Sequence, residues 1–135
     1  MEAKKEKRVA RLIMITPFDS SIAQLSDSEQ LLLLKGCALC AITRDLENNS
    51  TGNKPEWKDC KSELGAPIFV FTLDVIEPRL HALIQGNAPA VCAETEAGEL
   101  FLLLDPAAIE RCKGSVADFR GRLLYRASTF GLSLS

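Results

Sequence analysis

The sequence predicts a single α/β domain, and three observations predict it. Short apolar runs rich in β-branched residues recur along the chain, and segments with helical spacing and capping residues separate them. The last two runs stand close enough to close as a hairpin. A chain of 135 residues suits one ordinary domain, which buries roughly two-thirds of its unfolded surface without staples. With 47% hydrophobic and 25% charged residues, the composition is that of a globular protein and argues against disorder. The expected organisation is a charged N-terminal tail over residues 1–7, the domain over 8–128 and a C-terminal tail over 129–135.

Each element follows from local chemistry. Val9 to Thr16 (VARLIMIT) is apolar and β-branched, lies between charges and Pro17, and reads as a buried strand. Asp19, Ser20 and Ser21 then offer helix caps, because their side-chain oxygens accept the free amides of a first turn. Ser26 and Glu29 have the spacing of a capping box directly before the run Leu31 to Leu34, and Gly36 is a natural stop.

Two assignments of this stretch stay open. In the first, a helix spans roughly residues 20–35, with a restart at Ser26 as a variant, and Cys37 to Thr43 (CALCAIT) is the second strand. In the second, the helix ends near Leu25, Gln30 to Lys35 is the strand, and the cysteines open the next helix. Capping chemistry favours the first.

Glu47 to Pro55 (ENNSTGNKP) is dense in turn formers and reads as a loop that tolerates insertion. Trp57, Cys60 and Leu64 have helical spacing, and Gly65 stops that helix. Pro67 to Val75 (PIFVFTLDV) is apolar at nearly every position and reads as a central strand covered on both faces. Pro78 suits a helix first turn, with Leu80, Leu83 and Ile84 facing inward and Gly86 and Asn87 ending it. Ala88 to Ala93 and Leu100 to Leu104 are strands joined by the turn Glu94 to Gly98. Asp105 and Pro106 start a last helix with Ile109, Cys112, Val116, Phe119, Leu123 and Ala127 inward, which Gly114 and Gly121 weaken and offer points to divide.

Whole-chain features bound the function. The apolar runs are all much shorter than the roughly 20 residues that span a bilayer, so no membrane association is expected. The basic start, Lys4 to Arg8, lacks the apolar stretch and cleavage site of a signal peptide, and the expected location is the cytoplasm. Five cysteines are an odd count and do not read as a disulfide framework. Net charge is −2, yet residues 66–110 hold seven acids and one base, whereas residues 111–135 hold five bases and one acid. A basic helix over an acidic sheet edge would produce that pattern, as would a partner surface. Overall acidity, one Trp, one Tyr and the lack of a binding motif count against nucleic acid.

The pair Cys37 and Cys40 is the motif with most chemistry in it. A thiolate at a helix start is stabilised and reactive, whereas in a strand the two side chains would point to opposite faces and could not pair. Zinc would need two more ligands from Cys60, His81, Cys92 and Cys112, which form no second pair at ligand spacing, so no metal and no cofactor are expected. His81, the only histidine, falls on the solvent side of its helix and receives no role. Thr16 to Ser21 should lie at the carboxyl edge of the sheet, where α/β proteins bind ligands, but Asp19 repels phosphate and capping is its expected task.

The order strand, helix, strand, helix, strand, helix, strand, strand, helix resembles the thioredoxin-like fold, a three-layer βαβαβαββα sandwich with a mixed sheet. Pro89 opens a strand where that family keeps a cis-proline, and Gly98 falls at its hairpin turn. In the second assignment Cys37 and Cys40 stand at the family's redox position. Gly36 replaces the usual Trp, and Leu31 falls where the family keeps a buried acid. The resemblance therefore implies a non-catalytic protein-interaction module with an unidentified protein partner. Its alternative is a thiol-disulfide oxidoreductase in which Cys37 attacks, Cys40 resolves and Pro89 shapes the substrate groove.

Overall fold

The structure is a computed structural model that describes residues 7–134 of the chain. Residues 1–6 of the expected N-terminal tail, and Ser135, lie outside the described residues. Lys7 already belongs to the first strand, β1 (Lys7–Thr16). Successive side chains of a strand point to opposite faces, and β1 is apolar on both over its second half. Leu12 and Met14 join one core cluster while Ile13 and Ile15 join another.

A long helical crossover leads from β1 to β2 (Ile68–Thr72), which pairs with it in parallel, Leu12 opposite Ile68 and Thr16 opposite Thr72. On the other side of β1 runs the antiparallel β3 (Ala90–Thr95), and β4 (Leu100–Leu104) closes the hairpin. The strand order is therefore β2-β1-β3-β4 in one mixed, open sheet. The hairpin turns at Gly98, whose φ of +86° favours a residue without a Cβ.

Helices cover both faces unequally. The crossover contains a short 3-10 helix (Ser20–Gln24), then α1 (Asp27–Lys35), α2 (Ala38–Thr43) and α3 (Pro55–Leu64). These pack on the Leu12 face with α5 (Pro106–Arg111) and α6 (Val116–Thr129). On the Ile13 face α4 (Pro78–Ile84) supplies Leu80 and Ile84 against Ala90 and Cys92. The larger core is pinned by Trp57 of α3, which meets Phe119 of α6 edge-on with ring centroids 5.7 Å apart. The inward spacing read from Trp57, Cys60 and Leu64 holds, and all three are buried. The last helix is divided, because Lys113 and Gly114 both take positive φ between α5 and α6.

Four expectations differ from the structure. No second strand exists in the crossover. Gln30 to Lys35 is inside α1, and Cys37 to Thr43 is the cap and body of α2. Each assignment was half right, because the Ser26–Glu29 capping box forms and the cysteines also open a helix. The Pro67 to Val75 run does not make a central strand: β2 pairs with β1 alone among the described residues and is an edge, with Phe69 44% and Val70 56% exposed. The loop before α3 is also less free than its composition implies. Arg44 donates through Nη1 to the Thr51 carbonyl oxygen at 2.6 Å, and the Asp45 amide donates to the Gly52 carbonyl at 2.9 Å.

Finally, the residues expected as a C-terminal tail join the domain. α6 runs to Thr129, and β5 (Leu132–Ser133) pairs in parallel with Lys7 and Arg8 while Leu132 is buried. Two short hydrogen-bonded residues and one buried side chain fall below what a sequence pattern can reveal. No helix among the described residues is long and apolar enough to cross a membrane.

Candidate functional site

The chain leaves α1 at Gly36 and enters α2 one residue later, with Cys37 as the N-cap of α2 in extended backbone. Cys40 therefore lies three residues on, within the first turn, where the side chain of an N-cap residue meets the N3 position. The structure brings the two thiols together without a disulfide between them. Each is only 3% exposed, set among Leu34, Leu39 and Leu46.

Their electrostatics are split. Hydrogen bonding from Cys40 lowers the Cys37 thiol to about 7 against the opposing effect of burial. The Cys40 and Leu39 amides assist, although neither closes a full cap hydrogen bond to the sulfur. The same contact with Cys37, reinforced by burial, pushes Cys40 strongly upward. One thiol of the pair is thus poised to ionise while the other holds its proton. Lys35 takes no part. Its Nζ donates to Asn49 Oδ1 at 3.1 Å.

Access is the restricting feature. A cleft of about 40 Å³ reaches Cys40 between Thr16, Arg44, Trp57 and Val70. It is far below the roughly 300–1,000 Å³ of small-molecule sites. Cys37 does not line it. Pro89 stands one residue before β3, its peptide bond to Ala88 is cis, and it does not border that cleft either.

A second polar cluster at the carboxyl ends of β1 and β2 escaped the sequence reading. The Asp74 carboxylate accepts from Thr72 Oγ1 and Ser20 Oγ, each at 2.7 Å, and these bonds hold its carboxyl down at about 2. Nothing in the spacing of Ser20 and Asp74 announces this. The parallel pairing of β1 with β2 brings their following residues to one edge. Asp19, as expected, is a cap. It accepts from the Ser21 amide at 2.8 Å and from the Ser21 hydroxyl.

The remaining candidates are dispersed. Cys60 and Cys112 are buried in the larger cluster, and burial raises both thiols. Cys92 lies in the cluster on the other face, where burial lifts it to about 12. His81 is exposed on α4. Among the described residues no three of His, Cys, Asp and Glu converge as ligands would.

The charge segregation is resolved locally. Glu94 pairs with Arg11 at 2.6 Å and Arg79 at 3.2 Å, and Glu99 pairs with Lys7 at 3.1 Å. The acidic hairpin thus finds its cations in β1 and α4 and leaves those of α5 and α6 to other partners. No protein-family model matches this chain, and neither a curated protein nor a solved structure matches it significantly.

Proposed function

We propose that this chain is a thioredoxin-like domain that acts as a non-catalytic protein-interaction module. The fold reading rests on the strand order β2-β1-β3-β4, with a parallel first pair, an antiparallel hairpin, a closing helix and Pro89 immediately before β3. The observation that carries the function is the contrast between a shut cysteine pair and an open sheet edge. Cys37 and Cys40 are 3% exposed, whereas Phe69 and Val70 stand half out of the surface on β2. An edge strand with unpaired backbone and apolar side chains is a template for another strand, so the partner is an extended apolar segment of a second protein.

Selection of displayed random peptides on the purified protein tests this. Extended, β-branched and aromatic sequences are expected to be enriched on the wild type and lost on Val70→Lys, which places a charge on the edge. Equal enrichment on both proteins, or none, overturns the reading.

One observation favours a second reading, a thiol-disulfide oxidoreductase: the Cys37 thiol lowered to about 7 by Cys40. In that chemistry the Cys37 thiolate attacks a substrate disulfide and one substrate thiolate leaves. Cys40, after losing its proton, attacks Cys37 in the mixed disulfide and releases the second thiolate. Two electrons pass to the substrate and a Cys37–Cys40 disulfide remains. The attack requires Cys37 to become accessible.

A further inference from the structure

A groove of about 530 Å³ runs between β4, α5 and α6. Its size is that of small-molecule sites, roughly 300–1,000 Å³. Leu104, Ala108 and Ala117 line it together with Gly121 and Tyr125, and Tyr125 is 68% exposed. We infer that this groove binds a small organic carboxylate with a flat apolar body. The inference is independent of the function proposed above.

The floor is the first argument. Gly121 lies in the interior of the 14-residue α6, where glycine weakens a helix. A Cβ added there meets nothing within 4 Å, so neither close packing nor an unusual backbone angle demands a glycine. What its missing side chain provides is open space over the helix, between Ala117 one turn before and Tyr125 one turn after. That space admits a flat apolar group against the helix backbone.

The charges are the second argument. Five charged side chains line the groove, and four are already engaged. Asp105 caps the Ala108 amide at 2.8 Å, and Arg122 Nε pairs with Asp118 at 2.9 Å. Arg126 Nε donates to the Leu103 carbonyl oxygen at 3.1 Å and its guanidinium lies over the Phe130 ring. Arg111 has no partner among the described residues and offers a free guanidinium, whose planar donors match a carboxylate. The Arg126 bond to Leu103 also occupies the outer edge of β4. A strand would need that carbonyl, which favours a small molecule over a peptide strand as the occupant.

The test is a titration of the full ¹⁵N-labelled protein with benzoate, followed by amide shifts and compared with neutral benzyl alcohol. Saturable shifts are expected at Leu104, Ala108, Gly121 and Tyr125. Affinity should fall about tenfold or more for benzyl alcohol and for Arg111→Gln, the loss expected when a charge-assisted pair is removed. Gly121→Leu, which fills the floor, should abolish it. Arg120→Gln serves as the control, since Arg120 pairs with Glu63 at 3.3 Å outside the groove, and it should bind as wild type. Shifts elsewhere, no shifts at millimolar benzoate, or equal affinity of Arg111→Gln and wild type overturn the inference. Arg111 is exposed, so its replacement is expected to leave the fold intact and the result does not depend on the Gly121 variant folding.

Discussion

Cys37 caps α2 from outside while Cys40 supports its sulfur from inside the first turn, so one contact drives the two thiols in opposite directions. The asymmetry is that of a reactive cysteine pair, yet both cysteines are buried in the larger core cluster, each only 3% exposed. Ionisation and access are separate requirements for thiol chemistry, and burial of the pair opposes the second.

Replacing Cys40 by Ala removes the donor that favours the Cys37 thiolate. The Cys37 ionisation should then rise from about 7 toward the ordinary thiol value, measured by ultraviolet thiolate absorbance against pH. The sign carries over to stability. A thiol lowered on folding contributes nothing below its folded value, gains through the window from about 7 to 9, and contributes fully above 9. Urea unfolding of wild type against Cys37→Ser should therefore show the wild-type advantage growing over that window. A constant difference would contradict the assignment.

At the sheet edge Asp74 should titrate near 2, well below its unfolded value of 3.8. Its two hydroxyl bonds are present in full above the unfolded value and are lost as pH falls through the folded one. The stability difference between wild type and Asp74→Asn should be level from neutral pH down to about 4 and vanish toward about 2. Carboxyl NMR of Asp74 checks the same point directly.

Gly121 inside α6 and Gly114 in the turn before it should respond in opposite directions. Gly121→Ala should stabilise by about 0.5–1 kcal/mol, since the new methyl meets open space and only the helix preference changes. Gly114→Ala should destabilise, because φ is +77°, a backbone conformation that strains any residue with a Cβ. Thermal unfolding of the two variants separates these effects.

Phe119→Ala removes the ring that meets Trp57 and opens the larger core between α3 and α6. It should cost about 3–5 kcal/mol in denaturant unfolding. A loss below about 1 kcal/mol would mean that Trp57 and Phe119 are not a central contact.

Much of the fold is legible from local chemistry because the chain marks its own boundaries. Pro17 ends β1, Gly65 ends α3, Asp105 and Pro106 start α5, and Gly114 divides the last helix. The failure lies between Gln30 and Thr43. Ser26, Glu29 and Gly36 define one helix correctly, but nothing local says that the next seven residues form a second helix instead of a strand. An α/β pattern invites a strand there, and tertiary packing decides otherwise. Phe69 and Val70 mislead for a related reason. Apolar side chains on both faces usually mean cover on both faces, but here they lie on an edge that stays open. At the site, the spacing of Cys37 and Cys40 is visible in the sequence and their burial is not. Arg111 and Gly121 come together only through the turn between α5 and α6.

The proposed interaction module requires that the Cys37–Cys40 pair be closed to redox exchange in the folded domain. A glutathione redox titration of the native protein, scored by mass after thiol alkylation, tests it most directly, with Cys37→Ser and Cys40→Ser beside it. Both thiols are expected to stay reduced and shielded across the titration. A reversible two-electron couple, lost in both variants, would contradict it and establish the pair as a working disulfide site.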